Sequence, residues 1–121
     1  MENGYKDLIV YKKAFRMAME IFRISKSFPA EEKYSLTDQV RRSSRSVCSN
    51  LAESYRKRQY KAHFQSKLSD ADMENSETEV WIDFALHCDY ITIEIHKTLT
   101  ENATEVGRLL NHMTLHPERY C

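Results

Sequence analysis

At 121 residues, 41% hydrophobic and 30% charged, the chain is long enough for one soluble domain with a single modest core. Its 18 Lys and Arg balance 18 Asp and Glu, no apolar run approaches the roughly 20 residues of a membrane span, and Met1-Glu2-Asn3-Gly4-Tyr5 does not read as a signal peptide, so a cytoplasmic protein is expected. Two glycines and two prolines are too few for the tight turns of a sheet protein, which leaves a few long helices.

The first helix is expected over residues 7–26. Leu8, Tyr11, Phe15, Ala18, Phe22 and Ser25 alternate by three and four, the period of a helix packed along a left-handed bundle. Ala14, Met19 and Ile21 widen that stripe. Phe28-Pro29 ends the helix, because the residue before a proline avoids helical dihedrals. Glu31 and Glu32 then stand where the positive end of the next helix favours carboxylates.

The second helix is expected over residues 31–55, opening at Glu31 or Leu36. It carries an apolar stripe of Leu36, Val40, Val47 and Leu51 and a polar one of Gln39, Ser43, Ser46, Asn50 and Glu53. The third is expected over residues 59–89, with Phe64, Leu68, Ala71, Asn75, Thr78, Ile82 and Ala85 as its seam. Trp81, Phe84 and Cys88 broaden that seam, Cys88 as a small core-facing hydrophobe. The fourth is expected over residues 92–113, capped by Thr92, with Ile95, Leu99, Asn102, Val106, Leu109 and Met113 as its seam. The tail from His116 to Cys121, interrupted by Pro117, is expected to be loose. Four such helices with short connections make a single all-α domain over residues 1–121, an antiparallel up-down-up-down four-helix bundle.

The polar stripe of the second helix suggests assembly. Serine is a mediocre helix former, and repeating it on an exposed face costs stability without return. A close helix–helix contact between subunits accounts for it better than a solvated face does. Gln39, Arg42, Ser43, Ser46, Asn50 and Glu53 are the expected interface of a homo-oligomer, with Arg42 and Glu53 placed to pair across the boundary.

No catalytic centre is legible, and an enzyme is not expected. A di-iron bundle needs inward Glu and Glu-x-x-His pairs, and no Glu-x-x-His occurs. There is no phosphate loop and no nucleophile elbow. His112 and His116 stand four apart near Cys121, a spacing that suits a metal, but they straddle a fraying helix end and read as surface histidines. Cys48, Cys88 and Cys121 lack a CxxC spacing and read as reduced thiols. No cofactor or metal is expected.

Charge is unevenly distributed despite the neutral total. From Arg41 to Lys61 seven basic residues face Glu53 alone, and from Leu68 to His96 there are eight acids and no Lys or Arg. Arg41, Arg45, Arg56, Lys57, Arg58 and Lys61, interleaved with Tyr55 and Tyr60, are expected around one end of the second helix and the corner after it. Cations neutralise phosphates and exposed tyrosines stack on unpaired bases, so these residues are the candidate nucleic-acid surface. The competing reading has them paired with the acidic third helix. A pI near 7.0 weakens the first reading.

Several runs resemble one bacterial family: Asp7-Leu8-Ile9-Val10-Tyr11-Lys12-Lys13-Ala14, Phe28-Pro29 with Glu32, Tyr34 and Leu36, and Gln39-Val40-Arg41-Arg42-Ser43. Ser46-Val47-Cys48-Ser49-Asn50-Leu51-Ala52-Glu53, Glu74, Ser76-Glu77-Thr78-Glu79, Trp81-Ile82-Asp83-Phe84-Ala85 and Asp89-Tyr90-Ile91 continue the likeness. The chain is similar to the four-helix-bundle proteins found in intervening sequences of large-subunit ribosomal RNA genes, some labelled ribosomal proteins. Accessory variability proteins of diversity-generating retroelements are related to them. The resemblance implies an antiparallel bundle assembled as a homopentameric ring without enzymatic activity. By the retroelement members it implies a basic surface for RNA or DNA and a reverse transcriptase as partner. Arg41, Arg42, Ser46, Asn50 and Glu53 fall on its most specific motif. Ser54 stands where members carry glycine, so the second helix is expected to run past it.

Overall fold

A computed structural model describes residues 4–121. A short 3-10 turn, Gly4–Asp7, leads into α1 (Ile9–Ser25), and a second, Ala30–Glu32, precedes α2 (Leu36–Arg56). α3 (Lys61–His87) and α4 (Ile93–Leu115) follow, and a third 3-10 turn, Pro117–Arg119, closes the chain. Each helix packs on the next and α4 returns to α1, while α1 and α3 lie on the diagonal. The result is the expected all-α four-helix bundle.

Local chemistry sets the helix ends. At the start of α2 the Glu32 carboxylate accepts from the Leu36 amide at 3.2 Å and from the Ser35 hydroxyl, so Glu32 satisfies an orphan donor from outside the helix. Past Ser54 the helix runs on to Arg56; the Ser54 hydroxyl is buried and donates back to the Leu51 carbonyl at 2.7 Å. At the end of α3 the Asp89 amide reaches the Leu86 carbonyl at 2.9 Å and the Tyr90 amide the Ala85 carbonyl at 2.8 Å. That is a Schellman ending, with Asp89 in the left-handed position at φ 62°. Thr92 caps α4 as expected, its hydroxyl accepting from the Ile95 amide at 3.2 Å.

The seam of α3 lies where the alternation places it: Phe64, Leu68, Ala71, Asn75, Thr78, Ile82 and Ala85 are all buried. Leu36, Val40, Val47 and Leu51 of α2 are buried with them. Burying a large apolar side chain contributes about 1.5–3 kcal/mol, so these positions carry much of the fold. In α4 the expected Leu99, Val106 and Met113 are buried, but the wheel is turned slightly, and Ala103 and Leu110 replace Asn102 and Leu109 at the centre.

α1 differs from expectation. Its core face is Val10, Ala14, Met17, Ala18, Ile21 and Ser25, whereas Phe15 is 51% exposed and Tyr11 and Phe22 only half-buried. The regular stripe read from the sequence therefore lies along the edge of the core: Ala18 and Ser25 are buried, Leu8 and Tyr11 pack on the core from its rim, and Phe15 turns out to solvent. Phe84 (54% exposed) and Cys88 also point outward; Cys88 is the residue that ends α3, beyond the reach of the seam. The tail is not loose: Pro117 is buried and the Tyr120 ring packs on Phe64 with centroids 6.1 Å apart.

The core divides in two. Val10, Ala14, Val47, Leu51, Phe64, Leu68, Val106 and Leu110 fill one part; Met17, Ile21, Leu36, Val40, Ile82, Ala85 and Leu99 fill the other. Between them runs a polar belt. The Ser43 hydroxyl donates to Thr78 Oγ1 at 2.8 Å, Thr78 donates to the Glu74 carbonyl at 2.9 Å, and Asn75 Nδ2 donates to the Ala103 carbonyl at 2.8 Å. Gly107 of α4 faces this belt, where a Cβ on it would meet Asn75 Nδ2 at 3.4 Å, an ordinary contact.

Candidate nucleic-acid interface and assembly faces

The polar stripe of α2 turns toward α3. Ser43 is wholly buried inside the subunit and cannot meet a partner, which corrects its place in the expected interface. Asn50 donates to the Ser46 carbonyl at 2.9 Å, and both residues are half-buried. Arg42 reaches Gln39 at 2.9 Å and Glu77 of α3 at 3.6 Å, and Glu53 takes Lys67 of α3 at 3.1 Å. Arg42 and Glu53 thus pair within the subunit. Ser43 serves α2–α3 packing, a role that the sequence pattern alone does not separate from assembly, whereas Ser46 lines an open cleft with Arg41, Arg42, Arg45 and Ser49.

The basic residues fall into two groups, not one. Arg41 and Arg45 lie in the first half of α2, roughly 16–22 Å along the helix from Arg56 at 1.5 Å per residue. Arg41 Nε donates to Ser25 Oγ at 2.7 Å, and its guanidinium lies 4.8 Å from the Phe22 ring centroid. A cation is favoured there because the carbonyl end of α1 is negative. Arg45 also covers Phe22, at 5.7 Å. Both arginines are therefore held against α1.

The second group forms the corner between α2 and α3. Arg58 stacks on Tyr55, its guanidinium carbon 3.6 Å from the ring centroid, and its Nε donates to the Tyr55 carbonyl at 2.8 Å. Tyr55 and Arg58 line an open cleft with Gly4, Tyr5, Arg56 and Gln59. Arg56, Lys57, Tyr60 and Lys61 are exposed, and none of those three cations has an ion-pair partner among the described residues. Only Arg42 of the basic block reaches an acid of α3, so neutralisation by that helix is slight.

The sequence profile of 23S rRNA-intervening sequence proteins matches residues 6–112. The chain belongs to this family. A crystal structure of a protein of unknown function from the S23 ribosomal protein family of Bacteroides thetaiotaomicron is also similar. It is 30% identical with a TM-score of 0.80, over 88% of this chain and 95% of that one. Comparison with curated proteins finds no match. In this member of the intervening-sequence family, His112 and His116 stack with ring centroids 4.6 Å apart, beside Glu118 and Arg119. No trio of metal-ligating side chains gathers among the described residues. No described helix is long and apolar enough to cross a membrane.

Two apolar surfaces escaped the sequence reading. On α1, Tyr11, Phe15 and Met19 line an open groove with Lys6, Lys12, Arg16 and Arg23. On α3, Met73, Val80 and Phe84 are exposed on the outer side. Sorting the helical wheels by which apolar residues remain once the core is full would have revealed both.

Proposed function

We propose that the protein is a non-enzymatic homo-oligomeric bundle whose α2–α3 corner offers a basic rim to single-stranded nucleic acid or to a protein that handles it. The observation that carries this reading is the corner itself. Arg56, Lys57 and Lys61 are exposed without carboxylate partners among the described residues, and Arg58 holds Tyr55 as a flat, cation-backed platform. Cations of this kind bind phosphate with release of counterions, and a stacked aromatic suits an unpaired base. Assembly raises the effective concentration of rims, which compensates for the neutral charge of one subunit. Arg41 and Arg45, held on α1, serve packing more than recognition.

The test is binding of labelled single-stranded RNA and DNA at two salt concentrations. Exchanging Arg56→Glu with Lys57→Glu removes two exposed cations that have no ion pair among the described residues. It should abolish binding at moderate salt with mass and melting unchanged, and removing two phosphate contacts should flatten the log–log salt slope by about 1.4. Absence of binding by the wild type at low salt rejects the rim. It leaves instead an interaction module whose basic block serves subunit contacts, the reading that the internal use of Arg41 and Arg42 favours.

A further inference from the structure

Tyr11, Phe15 and Met19 follow one another by four along α1 and form a ridge between two open grooves, with Phe15 51% and Met19 38% exposed. On one flank of the ridge stand Lys6, Lys12, Arg16 and Arg23, with no acid among them. Lys12 and Arg16 have no ion pair among the described residues, and nearby Glu20 pairs with Arg23 at 3.0 Å. On the other flank Ala18, Cys48, Ser49 and Ala52 line a groove between α1 and α2. Arg45 borders that groove, and its one acid, Glu53, is taken by Lys67 at 3.1 Å. Large apolar side chains bounded by unpaired charge mark a surface that meets another molecule.

We infer that the ridge and its grooves dock an amphipathic helix of another protein, one whose apolar stripe is flanked by carboxylates. Small side chains such as Ala18, Ser49 and Ala52 leave room for a helix about 10–12 Å across to lie against α1 and α2. Its apolar residues, spaced by three and four, would pack on Tyr11, Phe15 and Met19. Charge fixes the sign of the partner. Flanking carboxylates would meet Lys12 and Arg16 on one side and Arg45 on the other, whereas a basic helix would be repelled. A second copy does not supply that complement from the outer side of α3, where Asp70 is engaged by Lys67, Glu77 by Arg42 and Asp83 by His96. A bilayer is flat and would leave the groove between α1 and α2 unfilled. The docking surface is separate from the basic corner and uses none of Arg56, Lys57 or Lys61.

The probe is a fluorescein-labelled peptide as long as α1, 17 residues, with leucine repeating by three and four and glutamate beside each leucine. A companion peptide carries lysine in place of every glutamate. Anisotropy titrations with the full chain should show the glutamate peptide binding about tenfold more tightly than its companion. The gap should narrow as salt rises. Lys12→Glu with Arg16→Glu should reverse the preference, an outcome that damage to the fold cannot produce. Phe15→Ser with Met19→Ser should remove binding of both peptides. These four side chains are exposed, so both variants should melt like the wild type. Binding of neither peptide, equal binding of the two, or a preference unmoved by the charge reversal overturns the proposal. Binding to vesicles of phosphatidylcholine and phosphatidylserine without binding to the glutamate peptide also overturns it, and assigns the ridge to a membrane. A fall in light-scattering mass on Phe15→Ser with Met19→Ser overturns it in favour of a second copy.

Discussion

α1 and α3 each carry an unbroken alternation by three and four, and the subunit covers the two to different depths. In α3 it runs from Phe64 to Ala85 and lies wholly inside the subunit. In α1 it runs from Leu8 to Ser25 along the rim of the core: Ala18 and Ser25 are buried, Leu8, Tyr11 and Phe22 are half-buried and Phe15 is exposed, while Val10, Ala14, Met17 and Ile21 fill the inward face. Periodicity therefore reports which residues share a helical face, and it does not report how deeply the subunit covers that face. The inward face of α1 gains closeness from Ala14 and Ala18, and the large aromatic side chains are left for the outside.

The sharpest way to test that contrast is to truncate one ring from each stripe. Phe64 is completely buried, and Phe64→Ala should lower unfolding free energy by about 3–5 kcal/mol through lost transfer and a residual cavity. Phe15→Ala, measured by denaturant at dilutions where the chain is monomeric, should fall within about 0.5 kcal/mol of wild type. Comparable losses at the two sites would mean that Phe15 is packed inside the subunit after all.

A smaller effect tests the polar interruption in the middle of the α3 seam. Thr78 is fully buried between Ser43 and the Glu74 carbonyl. Thr78→Val keeps the shape and removes the hydroxyl, so it should cost about 1–3 kcal/mol by leaving the Ser43 hydroxyl without its best acceptor. Adding Ser43→Ala should recover part of that loss, because both members of the pair are then apolar. No recovery in the double variant would show that the two hydroxyls are not coupled.

The fold was legible because α2 and α3 place their apolar residues at positions that the core uses. Gln39, Asn50 and Glu53 were harder to place. A polar edge between α2 and α3 within one chain has the same spacing as one between chains, and only the positions of Thr78, Glu77 and Lys67 separate the two. The basic block was half legible. Its residue types were right for the corner, but the helical rise sets Arg41 and Arg45 roughly 16–22 Å along α2 from Arg56, where they lie against α1 and not at the corner. Cys88 misled because the seam was extended past the point where Asp89 turns the chain out of the helix.

The mildest effect lies at the junction of α2 with the α3–α4 turn, which the outward half of α1 has no equivalent of. Glu32 is held below the ordinary carboxylate range by bonds from the Ser35 hydroxyl, the Tyr90 hydroxyl (2.8 Å) and the Leu36 amide. The Tyr90 phenol is pushed up to about 12, first by its bond to Glu32 and then by desolvation. For Glu32 the folded chain binds fewer protons than the unfolded one, so its contribution is present above the unfolded pKa and fades as pH falls through the lowered one. For Tyr90 the folded chain binds more, so its contribution holds below about 10 and fades as pH rises toward about 12. Thermal melts across pH should thus show a plateau bounded on both sides. In Tyr90→Phe the alkaline contribution from this phenol disappears, and the acid decline begins at higher pH because Glu32 has lost one of its donors. An acid decline unmoved by Tyr90→Phe would mean that Ser35 and the Leu36 amide alone hold Glu32 ionised, and that the start of α2 is fixed without the turn after α3.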